Sequence, residues 1–151
     1  MEKYYKVIAE NRRAFFDFHI METYHAGISL SGSEVKSLRL GRANLKDAFA
    51  RVESGEVWLY NMHISPYERS SEKIDPYRKR KLLLKQVELR KVVGKVSEKG
   101  FTLVPLKIYF SGDWAKVDLA IAKAKKIFEK KEKLIKKAID NDIAKAIKGK
   151  R

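Results

Sequence analysis

The sequence predicts a mainly β fold: an OB-like β-barrel, closed or partly open, with two or three short flanking helices and a basic C-terminal tail. Three observations lead there. Between Ala14 and Ala122 most segments are short, β-rich and separated by turn residues. Only two stretches in that span carry helix signals. From Lys123 onward the composition turns abruptly lysine-rich. The predicted division is 1–122 for the OB-like barrel and 123–151 for a tail that is disordered or helical.

The aromatic run Phe15 to Glu22 roughly alternates and reads as a strand, continued by Gly27 to Leu30 after a bulge near Ala26-Gly27. Ser33 to Leu40 breaks that pattern and reads as a helix. Ser31 or Ser33 caps it, Val35 and Leu38 face inward, and Gly41 ends it. Phe49–Glu53 and Glu56–Tyr60 form a hairpin through Ser54-Gly55, with Phe49 and Trp58 assigned to the core. His63 to Tyr67 is extended because the residue before a proline avoids the helical region. A polar loop covers 68–80. Lys81 to Val93 reads as an amphipathic helix stopped by Gly94. Phe101 to Phe110 is a long strand in which Pro105 marks an edge or a bulge. Ser111-Gly112-Asp113 turns the chain into a last alternating strand, Trp114 to Ile121.

The chain has 151 residues, with 34 Lys+Arg against 19 Asp+Glu, a net +15. Eleven Lys and one Arg after Ala122 face four acidic residues, so the tail carries +8 and the barrel +7. Ile135, Ile139, Ile143 and Ile147 recur every fourth residue there, a helical stripe with no core to pack on. There is no cysteine, which excludes disulfides, thiolate nucleophiles and Cys-ligated metals. The N-terminus carries no apolar signal region and no run reaches a membrane span, so a cytoplasmic protein without a membrane partner is expected.

The catalytic inventory is thin. His19, His25 and His63 lack metal-ligand spacing, the serines lack a nucleophile motif, and no Gly-rich phosphate loop is present. No catalytic residue, metal or cofactor is predicted. Clustered cations are the stronger signal: Asn11-Arg12-Arg13, Arg78-Lys79-Arg80-Lys81, and Lys123, Lys125 and Lys126. Such clusters reward binding to phosphates. Arg12, Arg13, Arg78 and Arg80 are expected to neutralise them, with Tyr24, Tyr67, Tyr77 and Trp114 as stacking platforms.

Asn11-Arg12-Arg13-Ala14, Ala26-Gly27-Ile28, the string Gly32 to Arg39, the string Asp75 to Leu84 and Gly100 to Leu106 together resemble the SsrA-binding protein (SmpB) family, over about Ile8 to Lys131. The resemblance implies an OB-like barrel that binds the tRNA-like domain of transfer-messenger RNA and delivers it to stalled ribosomes for trans-translation. Elongation factor Tu, on the charged acceptor end, is the implied co-partner. The tail is implied to become helical in the vacant mRNA channel of the small subunit. Leu83 and Lys116 match family RNA-contact positions; Asn11, His25, Glu34, Lys36, Arg39 and Lys81 lie in or beside the matched strings and join the expected contact set. Lys123, Lys125, Lys126, Lys130, Lys131, Lys133, Lys136 and Lys137 are expected to meet the ribosome. Two departures stand out. His25 occupies a position where the family usually has Glu, and Ala120 and Ala124 replace two glycines at the start of the tail. A ribosomal structural protein, a membrane-surface protein and an RNA-processing enzyme are the competing readings of charge and fold.

Overall fold

The computed structural model describes residues 5–71 and 73–125. Nine strands and three helices follow in the order β1 (Tyr5–Glu10), α1 (Ala14–Asp17), β2 (Phe18–Ile28), α2 (Gly32–Arg39), β3 (Ala43–Asn44), β4 (Phe49–Glu53), β5 (Glu56–Tyr60), β6 (His63–Ile64), β7 (Arg80–Leu83), α3 (Gln86–Val96), β8 (Phe101–Ser111) and β9 (Trp114–Ala124) among the described residues. The expected mainly β architecture is present. Strand pairing runs β8-β4-β5-β7-β2-β9, and β9 returns to β8, so the ladder closes into a ring. Every pairing is antiparallel.

Alternation fills the interior. Val57 and Leu59 of β5, Leu82 of β7, Ala26 and Ile28 of β2, and Val117, Leu119 and Ile121 of β9 all point inward. Leu38 of α2 and Val92 of α3 add to the same core. That alternation also corrects one expectation. With Val57 and Leu59 inside, Trp58 must face out, and Phe49 is 38% exposed. Phe49 stacks on its cross-strand neighbour Tyr60, ring centroids 5.2 Å apart, on the outer surface.

The β4–β5 hairpin turns as predicted. Ser54 and Gly55 both have positive φ (49° and 75°), which matches the twist of the flanking strands. The α2 helix also starts as predicted: the Ser31 hydroxyl accepts from Glu34 N–H while the Glu34 carboxylate accepts from Ser31 N–H.

Other boundaries differ. The residues before the first predicted strand form β1, which pairs with the outer edge of β8. Phe15 and its neighbours make the short turn α1, because that turn sets Ala14 against Val104, Leu106, Ala120 and Ala122. The predicted helix from Lys81 splits in two. Arg80 and Leu82 alternate inward on β7, and the helix begins only at Gln86, where Glu88 accepts from Lys85 N–H at 3.4 Å. Gly94 lies inside α3, which runs to Val96. The β2 irregularity falls at Met21 rather than at Ala26-Gly27. The last strand continues to Ala124, and the tail beyond residue 125 lies outside the described residues.

β8 organises the closure. One edge pairs with β9 along its length, while the other pairs with β4 at Leu103 and with β1 from Lys107 to Ser111. Pro105, which has no N–H to give, lies at this change of partner. Asn11 covers the gap: its backbone N–H donates to Leu106 O at 2.7 Å and its side-chain amide to Pro105 O at 3.1 Å.

A buried ion cluster locks α2 to the ring. Arg80 is fully buried. Its Nε donates to Glu34 Oε2 at 2.6 Å, and its terminal nitrogens donate to Met62 O at 2.7 Å and Pro76 O at 3.0 Å. Arg78 adds a second guanidinium on the same carboxylate, its Nε 3.2 Å from both oxygens. Burial would raise the Glu34 pKa, but hydrogen bonds from Arg78 and Ser31 and the charge of Arg80 outweigh it and hold the carboxyl below its ordinary value. Removing one partner of such a cluster strands buried charge. Glu34→Gln is therefore expected to cost about 3–5 kcal/mol of stability at neutral pH, measured by urea unfolding. Because the folded-state pKa is depressed, that contribution is complete above the ordinary Glu value of about 4.3 and fades as pH falls through the folded one. The gap between wild type and Glu34→Gln should accordingly narrow on acidification; a constant gap would contradict the assignment.

Candidate nucleic-acid interface

The outer face of β7, β2, β9, β8 and β1 carries the site. Register fixes its rows. Gly27 of β2 pairs with Leu83 of β7 on one side and Lys116 of β9 on the other, and Lys116 pairs with Tyr109 of β8. The next row is His25, Asp118, Lys107 and Glu10. Asn11 and Arg12 follow directly at the end of β1. Three residues distant in sequence, His25, Leu83 and Lys116, thus meet on one rigid surface.

Leu83 is half exposed, an apolar side chain with no core to enter. Gly27 makes room beside it. A Cβ at residue 27 would lie 3.3 Å from Leu83 Cβ, closer than packed carbons ordinarily sit. The glycine is thus needed for close approach, not for a bulge.

The second row is a polar network. His25 Nδ1 lies 2.6 Å from Asp118 Oδ1, and the Tyr109 hydroxyl is 3.1 Å from the same nitrogen. Burial, with the hydrogen bond to Asp118, pushes the Tyr109 pKa well above its ordinary value, so this hydroxyl keeps its proton. Lys107 Nζ donates to Tyr5 Oη at 2.6 Å and lies 3.7 Å from Asp118 Oδ2. The Tyr5 contact and the Asp118 charge hold Lys107 above its ordinary pKa. Lys107 therefore stays cationic and half-compensates the carboxylate it faces.

The remaining predicted residues divide. Arg12 is exposed at the rim, 3.5 Å from Glu10, and Arg13 pairs with Asp17 at 3.3 Å. Lys81 lies on the outer side of β7, in register with Trp58 and 3.5 Å from Glu56. Lys36 and Arg39 lie on α2 and cover the rings of Tyr67 and Phe110. Glu34 and Arg80 are a correction: both are buried, so neither faces a phosphate, and Arg78 is drawn to the same carboxylate. The reason is that Arg80 alternates with Lys81 on a strand, which sends one cation inward for each one outward. Lys123 pairs with His19 on β9, and Lys125 donates to Phe15 O at 3.1 Å. Lys126, Lys130, Lys131, Lys133, Lys136 and Lys137 lie outside the described residues.

Of the predicted stacking platforms, Trp114 is 75% exposed at the tip of the β8–β9 hairpin and Tyr77 is 55% exposed, whereas Tyr24 packs against the core. Sequence reasoning missed Asp118, Tyr109, Lys107 and Gly27 as site residues. Period-two alternation places Lys107 with Tyr109, and Lys116 with Asp118, on one strand face each. What it cannot supply is the register that sets them opposite His25. No described helix is long and apolar enough to cross a membrane.

Known proteins resemble this chain in sequence along nearly its whole length. The family model described as SmpB protein matches residues 8–149. The SsrA-binding protein of Carboxydothermus hydrogenoformans is 56% identical over 144 residues, 95% of this chain and 97% of that protein. That of Synechocystis sp. is 52% identical over 145 residues, 95% of this chain and 94% of the relative. A solved chain from "tmRNA-SmpB: a journey to the center of the bacterial ribosome" superposes with a TM-score of 0.64 at 57% identity, covering 78% of this chain and 84% of that one. With the motif strings, the closed ring and the full-length matches in agreement, the chain belongs to the SmpB protein family.

Proposed function

We propose that this protein binds the tRNA-like domain of transfer-messenger RNA and brings it to stalled ribosomes for trans-translation, as a binder and not a catalyst. The observation that carries the reading is the row Leu83–Gly27–Lys116, set beside His25 on a rigid sheet, in a chain 57% identical to a solved relative described with that RNA. Folded RNA is recognised by shape, backbone and unstacked bases. An exposed leucine over a bare glycine suits the flat face of an unstacked base. Lys116, Arg12 and Arg13 suit the phosphates around it.

The tail, 123–151, reads a second RNA. Its +8 in 29 residues, against +7 for the rest, supports an electrostatic contact with the ribosome's vacant mRNA channel. Elongation factor Tu joins on the charged acceptor end of the RNA, and the site of action is the cytoplasm.

Two measurements test this division. Leu83→Asp should abolish specific binding of the tRNA-like domain in gel-shift titration. Lys116→Ala should weaken binding and lower the salt slope by about one, as loss of one phosphate contact does. Equal wild-type affinity for an unrelated hairpin RNA would sink the specific reading. Separately, deleting the chain after Lys131 should leave that affinity nearly intact while abolishing peptide tagging in a reconstituted translation system. A matching loss of RNA affinity would show that barrel and tail do not divide the work.

A further inference from the structure

We propose that the cleft between the loop after β3, the end of β5 and the segment before β7 holds an unpaired nucleotide of single-stranded RNA, with Tyr77 as its stacking platform. The proposal rests on the RNA-binding reading for its ligand class alone. The contact is a separate one, because Tyr77 lies at the opposite end of β7 from Leu83.

Register brings the walls together. β5 and β7 are antiparallel with Leu59 opposite Arg80, so Asn61, just after β5, falls beside Tyr77, just before β7. Asn44 of β3 pairs with His63 of β6. Asn44, Lys46, Asp47, Asn61 and Tyr77 line a cleft of about 460 Å³. Buried Leu45 and Met62 pin the backbones that carry these residues. Asn44 Oδ1 accepts from Lys46 N–H at 3.3 Å and fixes that turn.

Tyr77 is an exposed ring on a fixed stem. Its side chain belongs to a residue 55% exposed. Its N–H donates to Asp75 Oδ1 at 2.9 Å. The preceding Pro76 O accepts from Ile64 N–H at 3.1 Å and from Arg80 at 3.0 Å. The ring leans on His63, centroids 4.9 Å apart. A ring already held in place gives up little entropy when a second flat group covers it.

The other groups in the cleft are unspent. Among the described residues, no hydrogen bond engages the Tyr77 hydroxyl, the Asn61 amide or Lys46 Nζ. An open aromatic face, an amide that both donates and accepts, and a cation are what a base face, a base edge and a phosphate require. Asp47 only accepts, so phosphate falls to the Lys46 side. Lys46 and Asp47 also wall a second cleft of about 350 Å³ whose lining includes Phe49. Two exposed rings, one in each of two clefts that share a lysine, suit successive bases of one strand.

The test titrates the full chain with a short oligoadenylate RNA and follows it by NMR. The Tyr77 ring and the Asn61 and Asn44 side-chain amides should shift. Those signals report this cleft and not the lysine-rich tail. Tyr77→Ala should weaken the binding read from the Asn amides about tenfold, the scale of one stacked base, and Tyr77→Phe should restore it. Asn61→Gly tolerates the left-handed φ of 60° while deleting the amide, and should weaken binding about threefold. Lys46→Ala should lower the salt slope by about 0.7, the loss of one phosphate contact on a single strand. Unmoved Tyr77 and Asn61 signals, or wild-type binding by a folded Tyr77→Ala, would overturn the proposal. A photo-crosslinking benzophenone at residue 77 then identifies the source. An adduct on transfer-messenger RNA or on small-subunit RNA names it, and no adduct with either contradicts the site. Leu83→Asp should leave the oligoadenylate shifts unchanged while abolishing binding of the tRNA-like domain, so each contact can fail without the other.

Discussion

One buried carboxylate holds together what the ring alone would leave loose. Glu34 sits at the first turn of α2, where its side chain completes the cap with Ser31, and it also receives Arg78 and Arg80 from the β7 segment. Arg80 then spends its remaining donors on Met62 and Pro76 carbonyls. Three segments far apart in sequence, 31–34, Met62 and 76–80, are thereby fixed through a single acid. A hydrophobic replacement of similar volume buries comparable area but does not specify orientation. A fork of planar donors accepts only one arrangement of three acceptors. Because Arg80 points in, its neighbours Lys81 and Leu83 must point out, and Leu83 arrives at Gly27 for that reason.

The interface is built by register more than by charge. Its centre holds one apolar side chain, one glycine, one lysine and one histidine, while Asp118 faces both His25 and Lys107. That composition favours discrimination over raw affinity, since unpaired cations attract every phosphate alike. The histidine fits the same pattern, since its Nδ1 lies 2.6 Å from Asp118 Oδ1 and register alone brings the two together.

Much of this was legible in the residues. Ser31 with Glu34 three places on announces a helix start, and Ser54-Gly55 between alternating strands announces a hairpin; both occur as expected. The helix expected from Lys81 failed because Leu82-Leu83-Leu84 satisfies either period, and pairing with β5 and β2 decided for extension. Arg80 was misread because a cation flanked by cations looks solvated, and only its partner's burial reveals otherwise. Asp118 and Tyr109 were invisible as site residues because their roles depend on which residue of β2 they meet, a long-range property that no local pattern encodes.

The net charge of +15 therefore overstates the electrostatic character of the folded surface. Arg78 and Arg80 are committed to Glu34, Lys79 to Glu53 and Lys81 to Glu56. The cluster that looks most nucleic-acid-like in the sequence is thus the most internally neutralised in the structure. On the sheet face itself, the cations outside that cluster are Arg12 and Arg13 at the rim, partly paired, together with Lys116. A protein whose densest basic run holds its own fold together must recognise RNA through placement, and the free charge of its remaining residues can only strengthen a contact that shape has already chosen.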